Sequence, residues 1–295
     1  MKLGGIEIAR IVEREEPAFV ASRLLPDATP EGLAPHRHWL EPKALDPATG
    51  LLILSIQSYV VRTRRHVILV DSCLGEGKSC RWHPPWHLMK NLPYLDDLAW
   101  RGVAPADVDF VLCTHLHGDH VGWNTRLVDG RWVPTFPNAR YVIARRELDH
   151  WTGYNRGATP EDYEECIDES VLPVVEAGRA ILVDDGFALD DEAWIESLPG
   201  HTPGHMGLHL RSGGQEGVMI GDLMHSPVQC AEPDWCASSD FDPGQARAVR
   251  RRFLETHADT PIRVLTAHFP SPSVGWIRRA ASAYRFAYDD RREEN

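Results

Sequence analysis

The sequence lacks the features that would direct the protein to a membrane or to a nucleic acid. No stretch of its 295 residues approaches the roughly 18 uninterrupted apolar residues that a transmembrane helix needs. Basic residues are also scarce, since 31 Lys and Arg stand against 43 Asp and Glu, for a formal net charge of −12. The missing apolar stretch argues against a membrane as partner. A negative field repels phosphate backbones, so we do not expect a nucleic acid as partner either.

Cysteine is sparse and scattered. The six cysteines include no Cys-x-x-Cys pair, so the pattern does not predict a disulfide framework. No cysteine-centred constellation appears either, which speaks against a catalytic cysteine. We therefore expect reduced thiols and a cytoplasmic location.

The chain also lacks internal repeats and low-complexity linkers. Strand-like runs, such as 110–113 and 140–144, alternate with helical stretches, such as 160–175 and 243–257. This alternation predicts an α/β layered fold. We expect one domain over residues 1–295, with 1–50 as an N-terminal arm or extension, and we read the basic run 250–252 as a solvated helix face.

Four strand-like runs end in residues that can bind metals. The first is followed by His115-Leu116-His117-Gly118-Asp119-His120, and the other three end at single residues. The seven groups are His115, His117, Asp119, His120, His201, Asp222 and His268. One metal needs only about three protein ligands plus water, so five imidazoles and two carboxylates suit two metals that share a carboxylate and a hydroxide.

In this order, with Asp71 ahead of them, the motifs resemble those of metallo-β-lactamase-fold hydrolases over residues 50–280. The resemblance implies a four-layer αβ/βα sandwich with the metals at the shared edge of two sheets. It implies that Asp71 orients the hexapeptide loop, and that His205 supports the neighbouring His201. By position it assigns His115, His117 and His201 to the first metal, Asp119, His120 and His268 to the second, and Asp222 to both.

Within that family the chain resembles the branch of lactonases and methyl parathion hydrolase, through residues 221–225 and the ending after His268. Class B1 β-lactamases carry Cys where Asp222 stands, and flavodiiron proteins usually carry Glu at the position of His117. The C-terminal glutathione-binding region of glyoxalase II enzymes is not found. Where acyl-homoserine lactonases carry a Tyr three residues after the bridging Asp, this chain has His225.

We therefore expect a dinuclear metal-dependent hydrolase that attacks a lactone or another hydrophobic carboxylic ester through a metal-bridging hydroxide. The metals are most consistent with Zn, with Mn, Co or Fe as alternatives. Asp119 is predicted to orient the hydroxide and shuttle its proton, and His225 to donate a hydrogen bond to the substrate. The small-molecule substrate would lie in an apolar pocket, for which the candidates are Trp82, Trp86, Trp123 and Phe269.

Three other functions stay open at this point. The C-terminal resemblance supports an organophosphate triester hydrolase. A mononuclear iron persulfide dioxygenase would use the same fold with fewer ligands, although His120 and His268 favour a filled second site. A metal-binding protein without turnover is the third alternative. The arm before residue 50 leaves a homodimer open.

Overall fold

The computed structural model describes residues 1–160, 162–281 and 283–290, which group into two compact units. The first contains residues 1–13 and 56–191, and the second contains residues 14–55 and the described residues from Glu192 onward. Within the described ranges, every helix is too short or too polar to span a membrane.

Most of the strands and helices are short, and β2, β3, α6 and α9 are the longer ones. The strands of the described chain are β1 (Lys2–Leu3), β2 (Ile6–Val20), β3 (Leu51–Arg62), β4 (Val67–Val70), β5 (Phe110–Leu112), β6 (Thr125–Val128), β7 (Arg131–Pro134), β8 (Arg140–Ala144), β9 (Ala180–Val183), β10 (Ala193–Ser197), β11 (Met206–Ser212), β12 (Gln215–Met219), β13 (Arg263–Leu265), β14 (Val274–Ala280) and β15 (Ala283–Tyr288). The α-helices are α1 (Ala21–Leu24), α2 (Pro30–Leu33), α3 (Arg37–Leu40), α4 (Tyr94–Trp100), α5 (Gly118–Val121), α6 (Arg145–Gly157), α7 (Leu172–Glu176), α8 (Val228–Ala231) and α9 (Pro243–His257).

A seven-stranded sheet runs in the order β1-β2-β3-β4-β5-β8-β9, and β6 pairs with β7 in a separate hairpin. Strands β4, β5, β8 and β9 are parallel. Strand β4 reads Val-Ile-Leu-Val with three of its four residues buried, the continuous apolar run typical of a covered parallel strand. Because β4 and β5 are parallel neighbours, the residues that follow them, Asp71 and the loop that starts at Cys113, emerge at the same edge of the sheet.

The second unit contains a six-stranded sheet in the order β10-β11-β12-β13-β14-β15. Only the pairing of β12 with β13 is parallel in this sheet as described. Helix α9 begins where the Asp242 carboxylate accepts a hydrogen bond from the Gln245 N–H (2.9 Å), with Pro243 in the first helical position. Its apolar face, with Val249, Phe253 and Leu254, belongs to a core that also includes residues of β12 to β15.

Several predicted elements match this arrangement, and others need correction. The strand at 140–144 and the helix at 243–257 have the predicted bounds. Residues 17–47, in the stretch predicted as an N-terminal arm or extension, contain the end of β2 and three one-turn helices. Where a helix was predicted over 160–175, the structure has a π-helix at Ile167–Val171 followed by α7. The prediction of one domain with residues 1–50 as an arm stays a prediction.

The sequence analysis predicts the basic run 250–252 as a solvated helix face, and this is wrong for Arg250. Arg250 is 1% exposed, whereas Arg251 and Arg252 are exposed. The position of Arg250 on α9 explains the difference, since it lies one turn from Ala246 and Leu254 on the buried face.

The loop over residues 76–90 contains Trp82 and Trp86, and its buried Lys78 binds it to neighbouring elements. Lys78 Nζ donates to the Thr125 hydroxyl (2.6 Å) and to the Glu169 carbonyl (3.0 Å), and lies 3.4 Å from the centre of the Trp132 ring. In the same loop Trp86 is buried, but Trp82 is half exposed. Burial lowers the pKa of Lys78 to about 7, against the opposing effect of Glu169.

This lysine should make stability depend on pH. Between about pH 7 and the ordinary lysine pKa near 10.4, the unfolded chain binds a proton that the folded chain lacks, so stability rises with pH by roughly 1.4 kcal/mol per unit. Relative to Lys78→Met, we expect the unfolding free energy of the wild type to rise by about 1–2 kcal/mol from pH 7 to 8.5. Urea titrations of both proteins test this. Parallel pH profiles would contradict it, whatever their constant offset.

Candidate metal centre

Asp71 anchors the hexapeptide loop. Its Oδ1 accepts a hydrogen bond from the Thr114 N–H (2.8 Å), and its Oδ2 accepts one from the Thr114 hydroxyl (2.9 Å). The same Oδ2 lies 2.8 Å from His120 Nδ1. Asp71 is buried and has a φ of 57°, a left-handed conformation that Asp tolerates better than most residues. The role suggested for Asp71 by the resemblance agrees with these contacts.

The other members of the hexapeptide lie close to one another. His115 Nε2 is 3.0 Å from His117 Nδ1, and Asp119 Oδ2 is 3.7 Å from His120 Nε2. The loop is supported from helix α6, where the buried Glu147 carboxylate accepts hydrogen bonds from the Leu116 N–H (3.2 Å) and the Trp151 Nε1–H (2.8 Å). The Trp151 ring packs against His117 with 5.3 Å between centroids.

In the second unit, three imidazoles surround the carboxylate of Asp222. His268 Nε2 lies 3.0 Å from Asp222 Oδ1, and Asp222 Oδ2 lies 3.1 Å from His225 Nε2 and 3.4 Å from His201 Nε2. All four side chains are at least 95% buried. So many ring nitrogens around one buried carboxylate call for a compensating positive charge, either a proton or a metal ion.

The other ring nitrogens of His201 and His268, their Nδ1 atoms, indicate whether a proton or a metal ion supplies this positive charge. His201 Nδ1 lies 2.8 Å from an Asp240 oxygen, and His268 Nδ1 lies 2.9 Å from the Ser55 carbonyl oxygen. Because both partners are acceptors, each Nδ1 must carry the hydrogen. In a neutral ring, Nε2 then presents a lone pair to Asp222, which is repulsive unless a cation is shared between them. This is the arrangement of metal-ligating histidines, whose other nitrogen donates to a carboxylate or carbonyl.

His120 has the same arrangement, since its Nδ1 contacts the Asp71 carboxylate and its Nε2 faces Asp119. His205 differs from these three histidines. Its Nδ1 lies 2.8 Å from the Leu198 carbonyl oxygen, and its Nε2 accepts a hydrogen bond from the Asp222 N–H (2.9 Å). Both ring nitrogens of His205 therefore bind backbone groups, which fits the supporting role expected for it.

His225 lies at the edge of this arrangement. Its ring is stacked on that of His268 with 5.5 Å between centroids, and its backbone N–H donates to the Gln229 side-chain oxygen (2.7 Å). Its buried Nδ1 has no hydrogen-bond partner among the described residues. Burial lowers the pKa of His225, although Asp222 acts in the opposite direction. The ring is therefore suited to being neutral, with one nitrogen available.

Within the second unit, potential ligand atoms of Asp222, His225 and His268 all lie within 4.8 Å of one another. Two donors each about 2.0–2.2 Å from a tetrahedral zinc ion lie roughly 3.3–3.6 Å apart. The contacts of 3.0 Å between His115 and His117 and 3.4 Å between His201 and Asp222 are near that separation. The donor set therefore fits divalent metal ions.

The structure adds residues that sequence reasoning missed. Asp240 and Arg250 support His201 and the segment after Asp222, and only the helical periodicity of α9 signalled the burial of Arg250. Of the four predicted pocket residues, Trp86, Trp123 and Phe269 are buried, and their place in a pocket stays a prediction. Trp123 is 3% exposed and stacks on Tyr94, and Phe269 is fully buried against Phe286.

A family comparison matches residues 53–281 to the metallo-beta-lactamase superfamily. The chain belongs to this superfamily. The predicted family and fold class are thereby confirmed, and the two mixed sheets with their helices are those of a metallo-beta-lactamase fold.

The sequence identity between this chain and individual members of the superfamily is low. N-acyl homoserine lactonase AiiA of Bacillus thuringiensis subsp. kurstaki is 24% identical over 222 residues, covering 72% of this chain and 80% of its own. Two solved structures each match 99% of this chain and 97% of their own. They are the hydrolase AbOPH (TM-score 0.83, 24% identity) and the dizinc quorum-quenching lactonase AidC (TM-score 0.77, 23% identity). At these identities the structural matches establish the fold.

Proposed function

We propose that this superfamily member is a dinuclear metal-dependent hydrolase that acts on a lactone or another hydrophobic carboxylic ester. One observation carries the proposal: the Nδ1 atoms of His120, His201 and His268 all face acceptors, so their Nε2 lone pairs are turned towards carboxylates. The activity of the AiiA relative, an N-acyl homoserine lactonase, supports the lactone as substrate class.

The proposed ligands follow the assignment that the family resemblance implies. His115, His117 and His201 would hold one ion, Asp119, His120 and His268 the other, and Asp222 both. Two divalent ions, most consistent with zinc, supply Lewis-acid polarisation of a carbonyl and lower the pKa of water towards neutrality. The dizinc lactonase among the structural matches supports zinc, although imidazole and carboxylate ligands also suit Mn, Co and Fe.

The protein's own groups would orient the reaction and move its proton. The Asp119 side chain is 12% exposed, more open than His120 or Asp222, so its carboxylate is placed to take a proton from an attacking water and to pass it on. His225 would contribute a hydrogen bond to the substrate oxygen or leaving group, which its unpartnered Nδ1 supports. His205 and Gln229 hold the backbone N–H groups of Asp222 and His225, so both side chains start from fixed positions.

A metal analysis combined with a substrate panel tests the proposal. We expect close to two equivalents of Zn, Mn or Co per chain and hydrolysis of γ-lactones or aryl esters faster than of a phosphate triester. Higher kcat/KM for the triester would favour the organophosphate alternative. One equivalent of iron with oxygen uptake would exclude the hydrolase and favour the persulfide dioxygenase. Two bound ions without turnover on any substrate would favour a metal-binding protein.

The role proposed for His225 has its own test. Replacing it in a His225→Ala variant should lower kcat/KM by about 10-fold to 1000-fold, the range expected for a lost hydrogen bond to the reacting group, with the metal content unchanged. His36, a part-buried histidine that contacts Glu232, offers a control, and His36→Ala should retain kcat/KM. If His225→Ala instead loses a metal equivalent, His225 is a ligand.

Two further features of the proposal concern location and partners. All six cysteines are buried and free, which supports the reducing cytoplasmic location expected from their spacing. The partner is a small molecule, and a neutral substrate suits the acidic chain better than a nucleic acid does. The homodimer stays a prediction.

A further inference from the structure

The buried pair formed by Asp240 and Arg250 lies outside the proposed ligand set. The Asp240 side chain is fully buried, with Oδ1 2.8 Å from His201 Nδ1. Its Oδ2 accepts a hydrogen bond from the Ala237 N–H (2.9 Å) and lies 3.4 Å from Arg250 Nη2. Asp240 therefore contacts the proposed ligand with one oxygen and a buried cation with the other.

Arg250 connects this carboxylate to the segment that follows Asp222. Its Nε donates to the Leu223 carbonyl oxygen (2.9 Å), and its Nη1 donates to the carbonyl oxygens of Pro233 (2.9 Å) and Trp235 (2.8 Å). The planar guanidinium suits this task because it presents several donors in fixed directions. One side chain thus holds the backbone beside Asp222 and the carboxylate beside His201.

Two buried charges are an expensive way to fill a core. Removing an ion from water costs several kcal/mol even after relaxation, and apolar residues of similar volume often stabilise a protein as well or better. At this position, however, an apolar residue would leave His201 Nδ1 without an acceptor, and the ring would be free to place its hydrogen on Nε2. The pair is therefore better explained by what it does to His201 than by stability.

We propose that Asp240, held by Arg250, is a positioning residue that keeps the hydrogen of His201 on Nδ1 and turns its Nε2 lone pair towards the metal centre. The inference rests on the proposed function, in which His201 is a metal ligand. Asp240 would set the tautomer and orientation of the ring, and its negative charge would make Nε2 a stronger donor to a cation.

The test compares Asp240→Asn with a matched control in the same unit. Glu196 lies 2.5 Å from His209 Nε2, so Glu196→Gln makes the equivalent change at a histidine outside the ligand set. In chelator competition, we expect Asp240→Asn to lose about 10-fold to 100-fold in Zn²⁺ or Co²⁺ affinity at one of the two ions. Glu196→Gln should bind both ions like the wild type, and Asp240→Glu should recover part of the loss.

A second measurement does not depend on bound metal. In the metal-free protein, where a proton can take the place of the metal between Nε2 and Asp222, ¹⁵N NMR of the His201 ring should show a hydrogen on Nδ1 throughout the wild type, and loss of that hydrogen in a fraction of the Asp240→Asn molecules. An unchanged tautomer together with unchanged metal affinity in a folded Asp240→Asn protein would overturn the inference, as would an equal loss in Glu196→Gln. A wild type that shows the Nδ1 tautomer but binds no metal would instead overturn the proposed function, and with it the effect on affinity.

Discussion

Asp222→Ala should abolish most of the activity and remove bound metal. In the proposed centre this carboxylate is shared by both ions, and it lies within 3.4 Å of three ring nitrogens. Loss of residues that merely support metal ligands typically costs 10-fold to 100-fold, so loss of a shared ligand should lower kcat/KM by about 10³-fold or more. Metal content should fall from near two equivalents to one or fewer, as measured by elemental analysis of the purified proteins.

Stability should change in the same experiment. A metal that binds only the folded state raises its stability, so added Zn²⁺ should raise the Tm of the wild type after chelator treatment, and should do so much less in Asp222→Ala. Asp234→Asn is the matched control, since Asp234 is a half-exposed acid of the same unit paired with Arg251. An Asp222→Ala protein that keeps two ions and its Zn²⁺-dependent Tm would refute the shared-ligand role.

The sequence predicted the loops that carry the site better than the supports behind them. The hexapeptide follows β5 as predicted, because a short apolar run that ends in polar residues is a local pattern. The contact of Asp240 with His201 joins residues 39 positions apart, and no local pattern encodes it. Arg250 is an intermediate case, since its spacing from Ala246 and Leu254 indicates a buried position although its charge suggests an exposed one.

The helices that the sequence analysis did not predict were missed for one physical reason. The three one-turn helices between Ala21 and Leu40 are too short to show a helical period, and helices of that length depend on tertiary packing. Their apolar residues, such as Leu33 and Leu40, form a core with Val228 that only the folded chain reveals. The sequence could not select the pocket residues for a related reason, because aromatic composition does not distinguish a pocket lining from a core residue, and Trp123 is buried.

A glycine just after the hexapeptide, Gly122, is the position where a single methyl group should do most damage to the fold. A Cβ added to Gly122 would lie 1.9 Å from the Leu74 carbonyl oxygen and 2.5 Å from the Gly75 nitrogen. Three backbone hydrogen bonds hold the two loops at this distance, from the N–H groups of Ser72, Gly122 and Trp123 to the carbonyls of His120, Cys73 and Ser72 respectively. Since the obstacle is backbone, no side-chain rotation can relieve it.

Gly122→Ala should therefore lower the unfolding free energy by about 3 kcal/mol or more, at the upper end of what overpacking costs. The loops must separate, which moves His120 away from Asp71, so Zn²⁺ affinity should fall as well. The control is the same substitution at Gly153, inside α6, where an added Cβ meets nothing within 4 Å. Gly153→Ala should stabilise the protein by about 0.5–1 kcal/mol, because alanine favours a helix more than glycine does. If urea titrations give the two variants equal stabilities, the close approach of the loops at Gly122 does not constrain the folded protein.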